Sequence, residues 1–195
     1  MVMMAIPARA MRRLSQTQVR FNPVVVIVGP TAVGKSCVAV EVAKTFETEV
    51  LTADSLQVYR GMDVGTDKPV PEERQGVPHR LIDLVNPDES FNAGLYRRQA
   101  LDEIERLYRD RRLPLVVGGT GLYVRTLLKG LCNAPPADPF VRTALQQEAK
   151  DQGHDRLYAR LVTVDPVAAA RLHPRDESKV IRALEVYQLS GRRIS

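Results

Sequence analysis

The chain has 195 residues, 44% of them hydrophobic, with 28 basic against 23 acidic side chains and two cysteines. That length allows one domain, or one with a small addition, and a core of useful size. No apolar stretch is long enough to cross a bilayer, and Cys37 and Cys132 have no metal-like spacing, so a disulfide-built framework is not expected and a reducing compartment is.

The basic excess is local. Residues 1–22 hold Arg9, Arg12, Arg13 and Arg20 and no acid, which leaves 24 basic against 23 acidic residues over 23–195. Overall basicity is therefore weak evidence for a nucleic-acid partner. The opening segment has the composition of a transit peptide, but its apolar start precedes the arginines, the wrong order for a secretory signal. We read 1–22 as a disordered basic tail on a cytoplasmic protein, with organelle targeting as the weaker alternative.

Along the chain, the run "VVVIV" (24–28) is β-branched and lacks polar alternation, as a buried parallel strand should. After a glycine loop, 35–46 reads as a helix, with Cys37 as a small buried hydrophobe. Residues 49–53 read as a second strand ending at Asp54, and 79–85 as a short third one. The charged segment 92–112 reads as a helix capped by Asn92, with apolar positions Leu95, Ala100, Ile104, Leu107 and Tyr108. Residues 113–117 form another buried strand, closed by Gly118-Gly119. Strands alternating with helices predict an α/β fold, a parallel sheet flanked by helices, with ligands beyond the carboxyl ends of the strands. The loops 29–36, 54–57 and 118–121 should meet there. After Gly130 a proline-rich connection leads to helices near 139–152, 154–163, 166–172 and 177–190. Asp138-Pro139 and Asp165-Pro166 serve as helix starts and Gly191 as a stop. The expected organisation is a core over 23–130 and a helical insertion subdomain over 131–195.

The segment Gly29-Pro30-Thr31-Ala32-Val33-Gly34-Lys35-Ser36 fits the G-x-x-x-x-G-K-[ST] pattern, with a strand before it and a helix after it. Glycines let the backbone wrap a phosphate with its N–H groups pointing inward, and the helix N-terminus adds positive potential. Lys35 neutralises oxygens, and Ser36 can ligate Mg²⁺. Such a loop reads phosphates and little else, so it does not separate ATP from another diphosphate. Asp54, at a strand's carboxyl end, has the position of a metal ligand or base; its plainer role is to cap a turn.

The stretches "GPTAVGKS" (29–36), "ADSLQVYRGMDVGTDKP" (53–69), "PHRLIDLV" (78–85), "VGGTGLYVRTLLKGL" (117–131), "DPFVR" (138–142) and "VDPVAAARLHPRDESKVIRALEVYQLSGRR" (164–193) stand in the order of one family. Over 24–195 the chain resembles the tRNA dimethylallyltransferases, also called tRNA isopentenyltransferases. The resemblance implies a P-loop NTPase-like fold and transfer of a dimethylallyl group from dimethylallyl diphosphate to N6 of the adenosine immediately 3′ of the anticodon. The phosphate loop would hold the leaving diphosphate, with Mg²⁺ as cofactor, and Asp54 would act as general base. Lys35, Thr120 and Arg142 complete the catalytic set that the family pattern implies. Asp54, Ser55, Leu56, Gln57, Thr120, Arg142 and the segment Ser178, Lys179, Val180, Ile181 and Arg182 match positions that meet the tRNA anticodon stem-loop. Gln57 offers an amide suited to a base edge. Lys179 and Arg182 suit phosphate or base contacts. Family members continue beyond the point where this chain stops, so the sequence reads as truncated. A monomer is expected.

Taken alone, Thr120 is a plain helix N-cap, Arg142 an exposed helix arginine, and 178–182 a solvated helix face. Tyr59, Tyr96 and Tyr123 read as half-buried core, and His79 and His173 as structural or exposed. The competing functions are an ATP-dependent small-molecule kinase, an adenylate isopentenyltransferase acting on free nucleotide, and a non-catalytic RNA-binding remnant. A kinase should also show a nucleoside-binding element and an arginine lid, and neither has a clear signature here.

Overall fold

Burial on both sides defines the central strands. The computed structural model describes residues 2–5, 23–131 and 134–195. In strand β2 (Pro23–Val28), Val24 and Val26 enter one apolar cluster and Val25 enters another. Strand β3 (Val50–Thr52) and strand β5 (Leu115–Gly118) repeat the alternation, with Leu51 and Val116 on the first side and Val50, Leu115 and Val117 on the second. A strand covered on both faces cannot show polar alternation, which is why these segments read as continuous apolar runs.

Helix α3 (Ala93–Arg109) and helix α4 (Gly121–Lys129) cover the first side, and helix α1 (Lys35–Thr45) covers the second. The buried face of α3 is Tyr96, Ala100, Ile104 and Leu107, so Tyr96 takes the place expected of Leu95. Asn92 caps α3 as expected, its side-chain oxygen accepting from the N–H groups of Gly94 and Leu95. Tyr96 stacks on Tyr123 at 4.2 Å between ring centroids, and both are buried, which agrees with a core reading.

The sheet order is β1-β2-β5-β3-β4, where β1 is Val2–Ala5 and β4 is His79–Arg80. The pairs β2–β5, β5–β3 and β3–β4 are parallel. Strand β1 pairs antiparallel with β2, from Val2 opposite Val26 to Ala5 opposite Pro23. This corrects the reading of 1–22 as a disordered tail over residues 2–5; residues 6–22 lie outside the described residues. The expected strand over 79–85 is only two residues long. Leu81 and Asp83 adopt positive φ, which breaks the ladder. A short helix, α2 (Pro71–Arg74), was not anticipated. Cys37 is exposed, against the expectation of burial, because α1 turns Ala39, Val40 and Ala43 to the sheet instead.

The chain divides into two units, Met1–Leu131 and Cys132–Ser195. The second contains helices α5 (Pro139–Gln152), α6 (His154–Val164), α7 (Pro166–Ala169) and α8 (Glu177–Ser190). Its own core is built on Leu145, Ala149, Leu157, Leu161, Val180, Ile181 and Leu184. Asp138 and Asp165 cap α5 and α7 through their side chains, each followed by proline. Among the described residues no helix is long and apolar enough to cross a membrane.

One ion cluster ties the sheet edge to α3. Glu49 is buried, and its carboxylate accepts from Arg80 Nε at 2.9 Å, Arg106 Nη2 at 2.7 Å and Arg112 Nη1 at 2.6 Å. Burial alone would raise its pKa. Hydrogen bonds and charge from Arg80 and Arg106 outweigh burial and hold it below the ordinary value. A depressed folded pKa means the stabilisation is complete above the unfolded pKa, near 4.5, and disappears as pH falls through the folded one. Glu49→Gln should therefore destabilise the chain by about 2 kcal/mol at neutral pH, after discounting for the half-exposed arginines. The gap from wild type should shrink in acid, as urea midpoints compared at neutral pH and below the folded pKa will show.

Candidate functional site

The strands β2, β5 and β3 lie side by side and parallel, so the loops leaving their carboxyl ends are neighbours. The three loops do meet. Thr31, Lys35, Ser36, Asp54, Gly118 and Gly119 line one cleft, together with Gln57, Asp67 and His79.

The approach depends on missing side chains. A β-carbon built on Gly118 would lie 2.1 Å from the carbonyl oxygen of Ala53, far inside van der Waals contact. One on Gly119 would lie 3.4 Å from the carbonyl oxygen of Gly29 and 3.9 Å from Asp54 Oδ2. The pair of glycines thus lets the ends of β2, β3 and β5 close together. The backbone then locks across the gap: Ala53 N–H donates to Val117 O at 2.7 Å, and Thr120 N–H donates to Ala53 O at 3.1 Å.

In the glycine loop, Ala32 and Gly34 both have positive φ, at 64° and 80°. Gly34 is the N-cap of α1 and has no side chain to satisfy the first-turn N–H groups, which leaves them for an anion. Lys35 Nζ donates to Pro30 O at 2.6 Å. With the lysine folded back, the cleft leaves a free volume of only about 30 Å³. That is room for about one water.

Asp54 does cap a turn, with one oxygen. Its Oδ1 accepts from Leu56 N at 2.9 Å and Gln57 N at 3.4 Å. No described residue donates to Oδ2, which faces Gly119. The carboxylate's charge also reaches Tyr123, whose hydroxyl is pushed up to about 12 by burial first, then by Tyr59 and Asp54. Tyr96 is raised further by burial. Both stay neutral at ordinary pH and are not bases.

Thr120 stands at the N-cap position of α4, yet its side chain makes no capping bond. Its hydroxyl oxygen accepts from Ser55 N at 2.9 Å and lies 3.2 Å from Ser55 Oγ. The plain cap reading is corrected: the hydroxyl cross-links the 54–57 loop to the loop after β5.

Gln57 also differs from expectation. It is buried, and its amide nitrogen donates to Thr66 O at 3.1 Å and Asp67 O at 2.8 Å. Both amide N–H groups are committed, so the residue anchors the 61–69 loop and does not offer them to a base edge. Lys68 locks the same loop from within. Its buried ammonium donates to Asp63 Oδ1 and Asp83 Oδ1, both at 2.7 Å, and to Tyr59 O at 2.8 Å. The loop brings Asp67 to the cleft wall, a carboxylate the sequence reading missed; its only signal was membership of the "GMDVGTDKP" stretch. His79, read as structural, also reaches the cleft. Burial lowers its pKa, and Nδ1 sits 3.0 Å from Val77 O.

The helical unit holds the remaining candidates. Val180 and Ile181 are core residues there, because α8 turns their side chains inward, unlike the exposed face expected of 178–182. Ser178 and Lys179 are exposed, and Lys179 pairs with Asp176. Arg142 and Arg182 both bind Glu185, which is fully buried and was not singled out in the sequence. Burial would raise the Glu185 pKa; hydrogen bonds from Arg142 and Arg182, then the Asp138 N–H, lower it on balance.

Among the described residues no group of three or more His, Cys, Asp or Glu gathers as a metal cage. Ser36 and Asp54 each bring oxygen atoms to the cleft wall.

A parallel sheet with a glycine loop after β2 and a carboxylate after β3, on the far side of β5, defines a P-loop-like α/β fold. More narrowly, the chain belongs to the IPP transferase family, whose model matches residues 57–195. It is 50% identical to a tRNA dimethylallyltransferase of Syntrophobacter fumaroxidans over 173 residues, 89% of this chain and 51% of that protein. It is likewise 50% identical to one of Thermomicrobium roseum, over 89% of this chain and 53% of the relative. The full-length tRNA isopentenylpyrophosphate transferase of Bacillus halodurans matches with a TM-score of 0.57 at 44% identity, over 86% of this chain and 56% of that one. A eukaryotic dimethylallyltransferase solved acting on tRNA matches with a TM-score of 0.72 at 32% identity, over 88% of this chain and 42% of that one. The chain spans about half the length of the curated relatives it matches.

The strand-end junction is directly testable. Gly118→Ala should destabilise the chain by about 3 kcal/mol, since the clash is with backbone and cannot be relieved by a rotamer. Gly121→Ala, where a β-carbon meets nothing within 4 Å, should stay within about 0.5 kcal/mol of wild type. Urea midpoints report both.

Proposed function

We propose that the chain transfers a dimethylallyl group from dimethylallyl diphosphate to N6 of the adenosine immediately 3′ of a tRNA anticodon. The observation that supports this most is the convergence of Lys35, Ser36 and Asp54 on one cleft, in a chain whose relatives are named for that transfer. The C–O bond to the diphosphate breaks as the bond from N6 to the prenyl carbon forms, and the amine then loses a proton.

Departing diphosphate gathers negative charge. Lys35 and the uncapped N–H groups of α1 face the cleft where that charge would develop. Ser36 would hold Mg²⁺, which would add further positive charge at the leaving group. Asp54 Oδ2 is the proton acceptor. Because Oδ1 holds the turn, the carboxylate is aimed before substrate arrives. Thr120 fixes the Asp54 loop through Ser55. Ser55 and Leu56 belong to that loop, and Arg142, Ser178, Lys179 and Arg182 form the RNA surface of the helical unit. The target base must leave its stack to reach such a cleft.

In the presence of Mg²⁺ and an anticodon stem-loop, a non-hydrolysable dimethylallyl thiodiphosphate should bind, and Lys35→Ala should remove the binding. If only a non-hydrolysable ATP analogue binds, the chain is a kinase. Asp54→Ala should retain the prenyl analogue but lower transfer of labelled prenyl by about 10³-fold. Equal loss of binding and transfer would refute the role of Asp54 as base.

A further inference from the structure

The helical unit contains a buried acid that its packing does not require. Glu185 sits on α8 among Ala183, Leu184 and Val186, all buried, and is itself fully inaccessible. An apolar side chain would satisfy that core without the large desolvation penalty of a buried carboxylate.

Every acceptor site of that carboxylate is used. Oε1 accepts from Asp138 N at 2.7 Å and Arg142 Nε at 2.9 Å. Oε2 accepts from Arg142 Nη2 at 3.1 Å and Arg182 Nη1 at 2.6 Å. The contact with Arg142 is bidentate, which fixes the plane of the guanidinium as well as its distance. Arg182 is held at a second point, Nη2 donating to Pro135 O at 2.7 Å.

The two guanidiniums are held from the inside and open on the outside. Arg142 and Arg182 keep 42% and 30% of their side-chain surface exposed. Each has five N–H donors and gives two to described residues, so three per arginine remain. Both line a groove of about 490 Å³ in this unit, beside Arg171, Ser178 and Lys179. Two forks fixed side by side match the oxygens of an RNA backbone better than two free arginines, because their ordering entropy is already settled.

We propose that Glu185 is a positioning residue for RNA binding, holding Arg142 and Arg182 in one orientation toward the phosphates of the anticodon stem-loop. The proposal rests on the tRNA reading above. If Glu185 only staples the fold, its removal leaves a more positive groove and RNA should bind as well or more tightly. If it positions the arginines, RNA should bind more weakly although a negative charge has been removed. The two roles predict opposite signs.

The test is fluorescence anisotropy of the full chain with a labelled anticodon stem-loop, over a salt series, below the thermal midpoint of every variant. Glu185→Gln places an amide donor against an arginine donor and should weaken binding about tenfold and flatten the salt dependence by about one unit. Unchanged or tighter binding overturns the proposal. Should that variant fail to fold, Glu185→Asp keeps the charge but is one methylene too short to reach both guanidiniums. Weak binding by folded Glu185→Asp supports positioning, and wild-type affinity overturns it. The paired change Arg142→Ala with Arg182→Ala separates the levels. If that variant binds RNA normally, the groove is not the RNA surface and the underlying reading fails with the proposal. If it binds weakly while Glu185→Gln does not, only the positioning role is lost.

Discussion

The approach of Gly118 to the backbone of Ala53 is the constraint on which the cleft depends. Strand β5 lies between β2 and β3, so its exit loop must leave between the phosphate loop and Asp54. Any side chain there would push β3 away and take the carboxylate with it. With glycine, Ala53 N–H reaches Val117 O and Thr120 N–H reaches Ala53 O, and the hydroxyl of Thr120 then fixes Ser55. The position of the carboxylate is thus determined by backbone packing two strands away from the loop that binds phosphate.

Each unit also has one buried carboxylate surrounded by arginines, but the two differ in what the arginines do next. Around Glu49, Arg106 makes further ion pairs with Glu103 on its own helix and with Asp110 at the end of that helix, so this arginine is spent on the joint. Around Glu185, the outer sides of Arg142 and Arg182 line an open groove. The same buried-acid chemistry makes a joint in one place and a presented surface in the other.

Local signals made much of this legible in the sequence. The phosphate loop was readable because its function needs glycine, lysine and serine at fixed spacing, next to a β-branched run that only a two-sided core explains. Asn92, Asp138 and Asp165 were readable as caps because a cap bonds its own next few residues. What escaped were contacts across long separations. Gln57 looks free to read a base until the 61–69 loop folds over it. Thr120 looks like a cap until Ser55, 65 residues earlier in the chain, takes its hydroxyl. Val180 and Ile181 looked like part of a contact surface because a segment match does not say which way each side chain points. Glu185 went unnoticed because two of its partners, Arg142 and the Asp138 N–H, lie on another helix and in the connection before it; Arg182, three residues earlier on α8, was the one local signal.

The bonds within the cleft also explain which ligands it can prefer. Lys35 rests on a neutral carbonyl, so any ligand must offer more than that carbonyl does. A charged phosphate oxygen does, since a charge-assisted hydrogen bond is about twice as strong as a neutral one. A neutral group does not, so under the proposed function the loop would favour dense negative charge. Asp54 solves the complementary problem. A base that loses its hydrogen bonds on protonation also loses its place. In the proposed reaction the turn stays held by Oδ1, while Oδ2, with no described donor, would take the proton. Proton transfer can then occur without releasing the loop that aims the carboxylate, so the geometry survives from one step of the reaction to the next.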